Sequence, residues 1–309
     1  MTGSTVRIAA AQYPIEFLGE WGAYAGKIEA WVTGAARAGA KLLLFPEYGA
    51  MELASLLPED ERSDLKRQLH GLQARLDDVI GLHRLLARQR KVTIVGASLP
   101  VRGPDGLFRN RAHVFGPDGA VGYQDKLMMT RFEAEEWGIS PGGPLRTFDT
   151  PVGRIGITIC YDIEFPLIGH ALAEAGADIL LVPSCTDTEA GYRRVRIGAQ
   201  ARALENQCYV VQAPTVGDAP WSPAVDVNVG AAGVFAPPDR GLPPMGVISE
   251  GVFDKPDWLF ADLDLERLRA VRQAGQVLNR RDWPAHAERS AVAVERQDLT
   301  GAAARNAVP

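Results

Sequence analysis

A chain of 309 residues, 46% hydrophobic and 23% charged, has the balance of a soluble globular protein and is long enough to bury a large core. Its net charge of −5 leaves no basic field to draw nucleic acid or an anionic lipid surface. Cysteine occurs three times, at Cys160, Cys185 and Cys208, which excludes a disulfide framework and fits a reducing compartment.

The opening residues, MTGSTVRIAAAQYPIEF, lack a basic leader, and their apolar run is too short for a secretory signal. No stretch approaches the roughly 18 apolar residues of a membrane span, so a cytoplasmic protein is expected. Residues 6–11 predict a short buried strand. Residues 21–38 set Ile28, Trp31, Val32 and Ala35 at helical spacing and stop near Gly39. KLLLF at 41–45 is a strand ended by Pro46. Residues 59–90 predict one long charged helix with a stripe through Leu65, Leu69, Leu72, Leu76, Val79, Ile80 and Leu86. A buried strand follows at 92–97. Residues 110–115 and 120–123 flank Gly116-Pro117-Asp118-Gly119, a hairpin turn. Residues 154–159 form a strand running straight into Cys160. Then come a helix at 166–175, a strand at 179–182, a helix at 193–205 and a strand at 209–212. Short strands are expected at 232–236, 246–249 and 258–262. The Pro- and Gly-rich loops at 214–230 and 237–246 belong to one domain of residues 1–288. Residues 289–309 are Ala-rich and weakly patterned, a tail that frays or docks on a partner subunit.

Three of these strands end on reactive residues: KLLLFP on Glu47, AVGYQD on Lys126, and RIGITI on Cys160. α/β folds carry catalytic groups at such strand ends, because the sheet is rigid and the loop exposes the side chain. An acid, an ammonium and a thiol make a coherent set. The carboxylate takes the thiol proton, and the ammonium favours a thiolate and then an oxyanion.

The order Glu, Lys, Cys, in LLLFPEYG, DKLMMTRFEAEEWG and GITICYDIEFP, resembles the nitrilase superfamily of carbon–nitrogen hydrolases. GAQARALENQCYVVQAP at 198–214 is similar to that family's helix and strand following the nucleophile. The resemblance implies a single-domain four-layer α-β-β-α sandwich, an α/β fold whose members pair into dimers or larger assemblies, so a homo-oligomer is expected. It implies Cys160 as nucleophile, Glu47 as general base, and Lys126 with the backbone N–H of Tyr161 as oxyanion holders. Glu133 stands seven residues past Lys126, in register with the family's second glutamate, whereas Glu135 and Glu136 fall out of register. The implied chemistry is hydrolysis of a small amide through a thioester, with no metal or organic cofactor. The rivals are a nitrilase or a carbamoyl hydrolase using the same residues, and a catalytically silent binding protein of the same fold.

Two departures concern the substrate. Glu164 occupies the place where members acting on carboxylated substrates carry an arginine, which argues against an anionic substrate at that spot. The lysine segment leans towards nitrilases and CYDIEFP towards amidases. Elsewhere the residues read more plainly. Cys208 is core, while Cys185 is open between core and pocket and Trp137 between pocket wall and packing. Arg193, Arg194 and Arg196 form a solvated or intersubunit helix face, and Arg202 and Glu205 form an ion pair. The five histidines show no zinc-ligand spacing. There is no phosphate-binding glycine loop.

Overall fold

The structure, a computed structural model, describes residues 5–297 and 299. The first half of the chain forms β1 (Thr5–Pro14), α1 (Trp21–Arg37), β2 (Leu42–Leu44), the short helices α2 (Glu59–Arg62) and α3 (Leu65–Gly71), and α4 (Leu76–Arg90). It continues through β3 (Thr93–Val95), β4 (Leu99–Arg102) and the hairpin of β5 (Phe108–Phe115) and β6 (Val121–Asp125). The second half begins with β7 (Thr147–Thr150), β8 (Gly153–Ile157), α5 (Pro166–Glu174), β9 (Ile179–Ser184), α6 (Glu189–Asn206) and β10 (Tyr209–Asp218). It ends with β11 (Val227–Asn228), β12 (Gly233–Phe235), β13 (Val247–Glu250), β14 (Asp257–Asp264), α7 (Leu265–Ala274) and α8 (Asn279–Ser290).

Strands β4-β5-β3-β2-β1 lie side by side, with β14 antiparallel along β1 and β6 along β5. Strands β7-β8-β9-β10 continue into β12 and β13. Among the described residues the two sets are hydrogen-bonded to each other only where Tyr13 and Pro14 of β1 run parallel to Thr215 and Val216 of β10. Both faces of the central strands are buried, which explains why KLLLF reads as a continuous apolar run rather than an alternating one. The period of two still sorts the side chains. Ile8, Ala10, Leu42, Leu44 and Val95 share a core with Ile157, Val211 and Phe235 of the other sheet. Their neighbours Ala9, Ala11, Leu43 and Ile94 pack on Ile28 and Val32 of α1 and on Val79 and Leu86 of α4. On the far side Leu172 of α5 and Val195, Ala199 and Ala203 of α6 cover the second sheet. The layers are therefore helix, sheet, sheet, helix, the α-β-β-α sandwich expected.

The helix expected over 59–90 is broken. Asp64 caps a new start by accepting from the N–H groups of Lys66 and Arg67, both at 2.8 Å, and a 3-10 turn (Leu72–Arg75) separates α3 from α4. The stripe reads as continuous because both helices lay the same kind of residue on one core. After β14 the chain forms two helices that the pattern does not announce. Asp264 caps α7 through Arg267 N at 2.9 Å, and Leu265, Leu268 and Val271 bury its short stripe. No residue of α8 is buried and Pro284 lies inside it, so it leaves no periodic signal. It is held by Trp283, whose ring stacks on His170 at 3.8 Å between centroids. The expected tail begins in the last turn of α8, and its residues 298 and 300–309 lie outside the described residues. Among the described residues no helix is long and apolar enough to cross a membrane.

Candidate active site

Four side chains from four different segments converge. Pro46 ends the β2 run, and Glu47 follows it into the interior, its carbonyl accepting from Thr215 Oγ1 at 2.6 Å. Lys126 leaves β6 directly, with its N–H tied to the Asn110 carbonyl of β5 at 2.9 Å. Glu133 lies in a π turn (Phe132–Trp137) closed by left-handed Gly138, a rare element that often marks a functional site. Cys160 opens a 3-10 turn (Cys160–Glu164) just past β8. Tyr48, next to Glu47, and Cys160 itself have φ of 53° and 49°. Left-handed backbone at such non-glycine residues stores strain that the surrounding packing must hold.

The Lys126 ammonium sits between the two acids. Nζ donates to Glu47 Oε1 at 2.8 Å and to Glu133 Oε2 at 2.7 Å, with all three side chains buried. Glu47 Oε1 also accepts from Asn110 Nδ2 at 2.8 Å. Glu133 Oε2 accepts from the Thr130 N–H at 2.9 Å and hydroxyl at 3.0 Å, and Oε1 from the Tyr48 hydroxyl at 2.7 Å. Burial pulls the Lys126 ammonium down, but Glu133 and Glu47 outweigh it and hold its pKa well above the ordinary lysine value. For Glu133 burial pushes up, and Lys126 with the Thr130 and Tyr48 donors brings it below the usual carboxylate range. Glu47 has fewer donors. Burial raises it, Lys126 opposes, Glu133 adds repulsion, and its pKa comes to about 7. Two acids of the same type thus stand in opposite protonation regimes, the pattern expected where one works as a base and the other as a fixed charge.

The Cys160 thiol donates to the Cys185 carbonyl at 3.7 Å. Burial first, and then the Glu47 charge, push it well above the ordinary thiol value, with Lys126 pulling the other way. The resting pair is a neutral thiol beside a carboxylate able to take its proton. Among the described residues the Tyr161 N–H has no acceptor, so it is free for an oxyanion. Asp162 fastens this turn to the lysine loop: its carboxylate accepts from Leu127 N at 3.1 Å, Met128 N at 2.7 Å and Ile159 N at 3.1 Å.

Glu47, Lys126, Glu133 and Cys160 line one cavity of about 640 Å³ together with Tyr161, Glu164, Trp137 and Cys185. Each candidate from the sequence therefore faces the same space. Trp137 does both jobs left open for it, packing on the Tyr48 ring at 4.7 Å between centroids while lining the cavity. Cys185 lies in the cavity wall, its Sγ on Asn228 Oδ1 at 3.1 Å. Cys208 is core, where burial lifts its thiol to about 12. Arg202 and Glu205 pair at 2.9 Å. Arg193 and Arg194 are solvent-exposed, as expected, with side chains 53% and 62% accessible, whereas Arg196 is more buried and pairs with Glu250 at 2.5 Å. Arg194 also lines the cavity and faces Glu164 at 3.7 Å, because the first turns of α6 run along the cavity wall. Asn110, Tyr48, Thr130 and Asp162 are site residues the sequence reading missed. Asn110 reaches Glu47 only through strand register, which a single sequence does not display. Among the described residues no group of three or more His, Cys, Asp or Glu is arranged to hold a metal.

The sequence matches the family described as Carbon-nitrogen hydrolase over residues 7–273. It is 37% identical over 277 residues to the probable hydrolase YhcX of Bacillus subtilis (strain 168), covering 90% of this chain and 53% of that one. The chain thus spans about half the length of that relative. It is 28% identical over 265 residues to the omega-amidase NIT2 of Danio rerio, covering 80% of this chain and 85% of the relative. Among solved structures, the C. elegans NitFhit protein has a TM-score of 0.73 at 22% identity, covering 97% of this chain and 70% of that one. An amidase from Nesterenkonia sp. has a TM-score of 0.64 at 25% identity, covering 92% and 98%. A variant of the amidase from Nesterenkonia sp. AN1 carries the acetamide moiety of fluoroacetamide covalently on its active site cysteine.

Proposed function

The chain belongs to the carbon-nitrogen hydrolase family of the nitrilase superfamily, and we propose that it hydrolyses a small linear amide through a thioester on Cys160. The observation that carries this reading is the buried Glu47–Lys126–Glu133 array meeting Cys160 in one cavity. Glu47 takes the thiol proton as Sγ attacks the amide carbon, and the carbonyl electron pair moves onto oxygen. Lys126 and the Tyr161 N–H hold that oxyanion. When it collapses, the carbon–nitrogen bond breaks and the leaving amine or ammonia takes the proton from Glu47. Water, deprotonated by Glu47, then attacks the thioester carbon, the carbon–sulfur bond breaks as the oxyanion collapses, the acid departs, and Glu47 returns the proton to sulfur. Glu133 keeps Lys126 charged and aimed throughout. The active site cysteine of the amidase neighbour takes up the acetamide moiety of fluoroacetamide covalently, which fits a nucleophilic thiol at Cys160. A small amide as substrate and a homo-oligomeric assembly belong to this reading, as does a hydrolase domain of residues 1–288.

The test is an amide panel followed by intact-protein mass spectrometry. Ammonia release, with an acyl adduct on Cys160, is the expected result. Cys160→Ala should lose turnover entirely while melting like the parent. Full turnover in that variant would sink the mechanism. Including a nitrile and an N-carbamoyl amine in the panel separates the rivals, because only the latter gives carbon dioxide with ammonia.

A further inference from the structure

Glu164 closes the turn that Cys160 opens. At roughly 2 Å of rise per residue in a 3-10 turn, the two residues lie about 8 Å apart along it, the reach of an acyl chain of a few carbons. The Glu164 side chain is 23% exposed and lines the cavity. Among the described residues no hydrogen-bond donor reaches its carboxylate, and the nearest cation, Arg194 Nε, stands off at 3.7 Å with its side chain 62% exposed. A half-buried carboxylate without a protein donor can accept from a substrate group in the space where substrate must lie.

The other charges of the cavity sharpen the sign. Lys126 is committed to Glu47 and Glu133. Arg131 is committed to Glu135 at 2.9 Å. Asp187 and Asp226 lie in the same wall, so beyond the catalytic array three carboxylates face two guanidiniums, one of them already paired outside the cavity. A substrate carboxylate entering here would meet repulsion, whereas a cation would find an acceptor without a donor. Burial also raises the Glu164 pKa, with Arg194 and Lys126 opposing, so the site gains from a positive ligand.

Building on the amide-hydrolase reading, we propose that the acyl part of the substrate ends in a cationic group, a primary ammonium or guanidinium, that docks on Glu164. Glu164 acts here as a specificity residue, and Arg194 is its outer counter-ion, displaced or shared when the substrate cation arrives.

Three amides of equal chain length test this: δ-aminovaleramide, valeramide and glutaramate. The expected order of kcat/KM has δ-aminovaleramide at least tenfold above valeramide, and glutaramate below both. Glu164→Gln should erase the difference between the first two. Arg194→Ala should keep or widen the preference for δ-aminovaleramide. Equal rates for the amino and alkyl amides, or a preference for glutaramate that Arg194→Ala removes, would overturn the proposal. Calorimetry on the Cys160→Ala protein gives the same comparison as binding alone, and tighter binding of the amino amide that Glu164→Gln abolishes supports it without any turnover. If none of the three amides is hydrolysed or leaves an adduct on Cys160, and none binds, the amidase reading falls and takes this inference with it. Turnover of valeramide at the same rate as δ-aminovaleramide removes the inference alone.

Discussion

Glu47 and Glu133 touch the same ammonium, yet they differ in how many other donors they hold. Glu133 collects two from Thr130 and one from Tyr48, and it stays ionised. Glu47 has one from Asn110 besides Lys126 and titrates near 7. A base must be unprotonated to work, so kcat/KM should rise as pH increases through about 7. The Glu133 charge is one of the causes that hold Glu47 up. In Glu133→Gln that repulsion is gone, and the acidic limb of the profile should move to lower pH. The residual rate should fall by about a hundredfold or more, since Lys126 loses its second anchor and its aim. A pH–rate profile of both proteins checks the direction, and a limb that stays in place would show that the two carboxylates do not interact. The convergence of Glu47, Lys126 and Cys160 on one cavity is legible in the sequence because each ends a strand on a short motif. The donors that make the two acids unlike are not legible, because Asn110 and Tyr48 reach them across the fold.

At the scale of elements, the site depends on two loops being held in one register. Asp162 does this with three backbone N–H groups, two from the lysine loop and one from Ile159 before the nucleophile. Asparagine there would keep one acceptor oxygen and turn an N–H donor towards another N–H donor. The clash and the lost bond cost about 1–3 kcal/mol. Asp162→Asn is therefore expected to lower the melting temperature by several degrees. It should also lower kcat tenfold or more with a smaller change in KM, because substrate binding surfaces are untouched while Lys126 and Cys160 drift apart. Burst kinetics locate the loss: a slower acylation step supports the positioning role, and an unchanged one contradicts it. The same scale explains why the motif after the nucleophile begins at Gly198. A side chain there would lie 3.0 Å from the Ile163 carbonyl oxygen, so glycine lets α6 pass close beneath the turn that Cys160 opens without a shift of that backbone. The stretch 198–214 was thus readable as a unit. The break at Asp64 was not, since a capping aspartate inside a charged helical pattern looks like any other surface acid.

For the whole molecule, period-two sorting of the apolar runs makes the sandwich intelligible, whereas α8 escapes the sequence because nothing on it is buried. What the layers leave uncovered bears on assembly. On the outer helical layer Leu167 of α5 is 73% exposed, Ile197 of α6 is 62% exposed, and Met245 is 74% exposed. Met245 is drawn to the same face by Gln200, whose Nε2 donates to its carbonyl at 2.7 Å. Large apolar side chains exposed on one layer can mark an interaction face, and a second copy of the chain, as expected of its family, is the partner to test. Sedimentation velocity at micromolar concentration should give a dimer or larger species. Ile197→Glu and Leu167→Glu should shift it towards monomer without loss of helical circular dichroism, and a monomeric parent protein would refute the prediction. The consequence for activity follows from the same helix. Ile197 faces outward one residue before Gly198, which packs on Ile163 in the nucleophile turn, and Arg202 one turn on donates to the Ile163 carbonyl at 3.2 Å. A partner that clamps α6 would therefore steady the turn that presents Cys160. The monomeric variants should show a lower kcat than the parent even though no residue of the cavity has changed. An unaltered kcat would mean that α6 is rigid enough alone.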